Sequence, residues 1–159
     1  MKKIFIVTLI AVSIIGTQIS FAQTENQTVK LTQELMRIND DLSLAFSSIL
    51  SGNPDVDRLK KDLNFTKTRL NAVIREVQDT IKSSDSLLKE RELRTIQYLA
   101  INNLLSTNGL LLFLEDTNNN QNFLLDAITS YNEGLRILEE LQEAIYKIYK
   151  IQLDTTKRS

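Results

Sequence analysis

The chain has 159 residues, 19 of them basic and 20 acidic, with no histidine and no cysteine. Those two absences exclude Ser-His-Asp and Cys-His catalysis, histidine-based zinc, copper or haem ligation, and the Glu-x-x-His pairs of di-iron bundles. They also mean that packing alone must stabilise the fold, since no disulfide can restrain the unfolded chain. Carboxylate, hydroxyl, tyrosine and lysine chemistry stay open, but no motif signals any of them. The composition therefore points to a protein that is not an enzyme and needs no cofactor.

The chain opens MKKIFIVTLIAVSIIGTQISFAQ. Lys2 and Lys3 precede an apolar run over 4–16, and the more polar stretch behind it closes on Ser20-Phe21-Ala22, with small residues at the two positions a signal peptidase reads. This is the layout of a secretory signal peptide over 1–22, cleaved after Ala22. An uncleaved anchor is the alternative, although the run falls short of the roughly 20 residues of a membrane span. With no cysteine there is no lipid anchor, and no later segment reaches membrane length. The mature chain is thus expected outside the cytoplasm, periplasmic or secreted. It would keep 137 residues, 17 basic and 20 acidic. That is enough for one domain with its own core and carries no positive excess suited to nucleic acid.

Beyond the signal, apolar positions recur every three or four residues, and no alternating run suggests a strand. A first helix, about 26–51, places Leu31, Leu35, Ile38, Leu42, Ala45 and Ile49 on one face. In Ser51-Gly52-Asn53-Pro54-Asp55 the glycine ends that helix, the asparagine is expected to cap the next, and the proline opens it. The second helix, about 54–82, has Val56, Leu59, Leu63, Thr66, Leu70, Val73, Val77 and Ile81 at core spacing. Asp55 and Asp57 set negative charge at its positive end.

Ser83-Ser84-Asp85-Ser86 supplies N-cap residues for a third helix, about 86–115. Asn102 and Asn103 fall among Leu99, Ile101, Leu104 and Leu105. A polar outer face is expected there, with an inward amide that fixes helix register as the alternative. Asn108-Gly109 is read as a small residue at a close helix contact, against a turn that would break the helix. Residues 110–114, LLLFL, are apolar on all sides and should be deeply buried or part of an interface. The fourth helix, about 121–153, carries Leu124, Ile128, Tyr131, Leu135, Leu138, Leu141, Ile145 and Ile148 inward, with Glu139, Glu140 and Glu143 outward. Gly134 in its interior costs about 1 kcal/mol relative to alanine, which a close helix contact would justify. A frayed tail, 154–159, is expected to follow. Four helices of similar length joined by short loops predict an all-α, antiparallel up-down-up-down four-helix bundle over 23–153, with coiled-coil-like periodicity.

Three places invite a functional reading. Asp116, Asn118 and Asn120 match the first, third and fifth ligand positions of an EF-hand calcium loop. Gln121 stands where that loop needs glycine, and Ala127 where it needs a bidentate glutamate. A solvated loop with Asn120 or Asn122 capping the fourth helix is the reading preferred, and a weak cation site the alternative. Arg58, Lys60, Lys61, Lys67 and Arg69 form the densest basic stretch, a docking strip for an acidic partner or otherwise a solvated face. Tyr146 and Tyr149 make an aromatic edge suited to an interface. Glu139 and Glu143 share a helix face but are read as solvated. The function expected is protein–protein interaction or self-association in the cell envelope, with a small-ligand or cation-binding sensor bundle as the alternative.

Overall fold

The computed structural model describes residues 27–52, 54–83, 87–116 and 121–156, with backbone alone for 87–89 and 145–156. The expected signal peptide, 1–22, lies outside the described residues. Four helices make up the fold: α1 at 27–50, α2 at Val56–Lys82, α3 at Leu87–Glu115 and α4 at Gln121–Thr156. The last runs on past the end expected at 153, into the segment read as a frayed tail. Together they form an antiparallel four-helix bundle, as the 3.5-residue rhythm predicts.

Specific contacts set the order round the bundle. From α1, Gln27 Nε2 donates to Glu76 Oε1 (3.2 Å) and Thr80 Oγ1 (3.0 Å) on α2. Further along α1, Glu34 and Asp41 pair with Arg69, so the two helices run in opposite directions. On its other side α1 meets α4, where the Phe46 and Tyr131 rings lie 5.0 Å apart. Asn39 Nδ2 donates to the Tyr131 hydroxyl at 3.4 Å in the same place. α3 packs against both α2 and α4, which leaves α2 and α4 on opposite corners.

The first connection is built as a glycine stop and a carboxylate start. Gly52 has φ +80 and donates its N–H to Ile49 O at 3.1 Å, a left-handed conformation that only glycine adopts without strain. The cap of α2 is Asp55, not Asn53 as the sequence suggests. Asp55 is extended, and its Oδ1 accepts from Arg58 N at 3.1 Å. The helix begins only at Val56, so Asn53 stands two residues too early, and a carboxylate adds the dipole term an amide lacks. Asn53 itself lies outside the described residues.

Every apolar α1 residue expected inside is buried, and so are Leu59, Leu63, Thr66, Leu70, Val73 and Val77 of α2. Val56, in the first turn of α2, is exposed. On α4, Leu124, Leu138 and Leu141 are buried, whereas Ile128, Tyr131 and Leu135 are only half-buried; Ala127 and Ile137 are inside as well. The small residues explain that rotation. A Cβ on Gly109 would meet Ala127 Cβ at 2.9 Å and Phe123 O at 3.0 Å, and one on Gly134 would meet Asn103 Oδ1 at 2.6 Å. Gly109 therefore lets the backbones of α3 and α4 approach closely, Gly134 makes room for the Asn103 side chain, and α3 passes through Asn108-Gly109 unbroken.

Candidate functional site

α3 buries amides and exposes leucines. Asn102 and Asn103 are both buried, which overturns the polar outer face expected for them. Asn102 Nδ2 donates to Tyr98 O at 3.0 Å, and Thr107 Oγ1 donates to Asn103 O at 2.7 Å. Neither amide atom of Asn103, nor the Ser106 hydroxyl, has a partner among the described residues. Asn39 Oδ1 on α1 is in the same position. The helix can bury these polar groups because its apolar residues cover its whole circumference; whichever face turned inward would have enclosed a core of leucines.

The opposite face is left to solvent. Leu105 is two residues beyond Asn103, about 200° round an α-helix, and is 54% exposed. With it stand Tyr98, Ile101 and Leu112, all exposed. Between Thr95 and Leu114 these four are the only residues of α3 in the exposed class, and each is apolar. Extended at the same three- and four-residue steps, the line reads Arg91, Arg94, Tyr98, Ile101, Leu105, Asn108, Leu112, Glu115. That is the a/d pattern of a coiled-coil seam, here with no helix against it among the described residues. The apolar part from Tyr98 to Leu112 spans about 21 Å at 1.5 Å per residue. The other helices differ: Leu44 and Phe65 are exposed on α1 and α2, but between charged and polar neighbours.

At the N-terminal end of this seam a groove of about 550 Å³ opens between α3 and α4, edged by Tyr98. Two of its arginines, Arg94 and Arg136, are paired with nearby glutamates. Arg94 Nε and Nη2 donate to Glu90 Oε1 at 2.9 and 2.5 Å. Arg136 bridges Glu133, at 2.7 Å, and Glu140. The hydrogen bond from Arg136 holds the Glu133 carboxyl below its ordinary pKa, and the same bond raises that of Arg136.

The basic strip on α2 is not one free surface. Arg69 reaches across to α1, with Nε 2.7 Å from Glu34 Oε1 and Nη1 2.6 Å from Asp41 Oδ2, and its guanidinium lies 5.6 Å from the Phe65 ring centre. The bond to Glu34 leads the causes that raise its pKa above the usual arginine value, against partial burial. Arg58 is exposed, 3.8 Å from Asp62. Lys61 is exposed, while Lys60 and Lys67 are half-buried. A groove of about 500 Å³ between α1 and α2 is walled by Arg58, Arg69, Asp41 and Asp62 beside Leu44 and Phe65, so basic and acidic groups alternate there.

The remaining residues singled out from the sequence fall at the edges of what is described. Tyr146 and Tyr149 are on α4, but their side chains lie outside the described residues, as do Asn118 and Asn120. Asp116 follows the end of α3, and its N–H donates to Leu112 O at 3.0 Å. α4 already begins at Gln121, and Ala127 is buried against Gly109. The sixth to twelfth positions of a calcium loop are therefore helix, so the cation reading rests on Asp116 together with residues outside the described ones. Among the described residues no group of three or more acidic side chains could hold a metal ion, and no helix is long and apolar enough to cross a membrane.

Sequence reasoning singled out Leu112, within 110–114, as buried or part of an interface, and missed Tyr98, Ile101 and Leu105 as candidate functional residues beside it. A signal was present: counting by threes and fours from Arg91 gives a second apolar line beside the one through Leu99 and Leu110, and a helix needs only one to pack. Comparison of the chain with known protein families, with characterised proteins and with solved structures returns no match.

Proposed function

We propose that the protein is exported to the periplasm or beyond and works by binding, as a rigid four-helix scaffold that presents one helix face to another macromolecule. The observation that carries this reading is the exposed line Tyr98, Ile101, Leu105, Leu112 on α3. Apolar area costs about 25 cal/mol per Å² to keep in water, and contiguous exposed apolar surface marks interaction sites. A chain with polar residues available at the neighbouring positions Asn102, Asn103, Ser106 and Thr107 has turned those inward instead. The lack of histidine and cysteine and the pairing of Arg94 and Arg136 with glutamates in the α3–α4 groove support binding over catalysis.

The test is site-specific photocrosslinking in the native cell, with the photoreactive residue at Leu105 and a control at exposed Lys61. Adducts from position 105 and not from 61 are the expected result. No adduct from 105 overturns the reading.

A further inference from the structure

We infer that the partner of the α3 seam is a second copy of this chain, docked antiparallel across a two-fold axis near Leu105. The inference rests on the binding reading above and specifies its occupant. Three features point to self-docking. The seam keeps strict three- and four-residue steps from Arg91 to Glu115, which is the spacing that interlocks with another helix of the same kind. Its apolar part is centred on Leu105, with Tyr98 and Leu112 seven residues to either side. Two copies related by a two-fold axis there would set Tyr98 of each against Leu112 of the other.

The third feature is charge. The seam begins with exposed Arg91, beside an Arg94 already paired with Glu90, and ends with exposed Glu115. Antiparallel docking brings the basic end of each copy to the acidic end of the other and opposes the two helix dipoles favourably. Parallel docking would stack arginines on arginines and glutamates on glutamates. The surface is thus complementary to itself in one orientation only, as an isologous interface requires. A single seam of about 21 Å supplies less than a standard interface of about 1,600 Å², so the dimer is a weak, reversible one.

The absence of cysteine makes the test clean, because any introduced thiol is unique. Full-length chains carrying Leu105→Cys, Tyr98→Cys or Leu112→Cys are expressed in the native cell and treated with a short thiol crosslinker. Leu105→Cys is expected to give a covalent homodimer. Tyr98→Cys and Leu112→Cys are expected to crosslink when co-expressed and not when expressed alone. On the purified protein, Leu105→Glu is expected to weaken association at least tenfold in sedimentation equilibrium, with helical content unchanged by circular dichroism because the position is exposed. Homodimers of Tyr98→Cys as abundant as those of Leu105→Cys would overturn the antiparallel geometry. No Leu105→Cys homodimer, together with a photoadduct from position 105 to a different protein, would overturn self-docking and leave the binding function standing. Neither product would overturn both.

Discussion

Asn103 lies wholly inside the bundle with no partner among the described residues for its amide, and the missing Cβ of Gly134 leaves room for its oxygen. An unsatisfied buried amide costs about 1–3 kcal/mol, so this pair is a local weakness held in place by its surroundings. At Gly109 the obstacle to a side chain is of another kind, a backbone carbonyl and the Cβ of Ala127. A short side-chain amide can swing aside, whereas a carbonyl in a helix cannot. Gly109→Ala is therefore expected to destabilise by about 1–3 kcal/mol through overpacking, more than Gly134→Ala. The double change Asn103→Ala with Gly134→Ala is expected to recover the loss. Urea denaturation of the three variants beside the parent decides it, and a Gly109→Ala protein more stable than the parent would contradict the close α3–α4 approach. Arg69 is the other residue whose role is local. Its raised pKa means its contribution is fully present below the ordinary arginine value and fades only above it. Arg69→Met is expected to cost about 1 kcal/mol, equally at neutral pH and at pH about 10, in thermal melts.

The third helix is the element whose inner face buries amides and whose outer face exposes apolar residues. Leu110 is buried and Leu105, five residues earlier, is exposed. Leu110→Ala should cost about 2–5 kcal/mol, as buried leucines do, while Leu105→Ala should stay within about 0.5 kcal/mol in dilute protein. Equal losses from the two would mean that the helix is turned differently. The connection from α3 to α4 is tested as an element too. Because α4 starts at Gln121, no twelve-residue loop remains to wrap a cation, and millimolar calcium is expected to leave the melting temperature where chelator leaves it. A rise with calcium, by linkage, would restore the cation-sensor reading.

For the whole molecule, the proposed export is what remains to be tested. If 1–22 is removed on export, the intact mass of the protein recovered from outside the cytoplasm should correspond to a chain beginning at Gln23. Finding the full chain in the membrane fraction would replace a free scaffold with an anchored one. Either way the bundle stands on α1 to α4, tied by Arg69 between α1 and α2 and by the Asn39–Tyr131 contact between α1 and α4.

Helix positions and bundle class were legible in the sequence because they depend on local spacing. Leu31 to Ile49 on α1 and Leu59 to Val77 on α2 each offer one apolar line, and only one way of packing buries it. α3 offers two, through Leu99 and Leu110 or through Ile101, Leu105 and Leu112, and local spacing cannot choose between them. The tertiary structure decided that choice. Gly109 of α3 meets Ala127 of α4, and Gly134 of α4 meets Asn103 of α3, so α4 packs on the face of α3 that carries Asn103 and Gly109, and this close approach turns the leucines of the seam to solvent. The same dependence on helix register sent Arg69 to α1 rather than to a free basic face, because Glu34 and Asp41 become its neighbours only when the two helices are side by side.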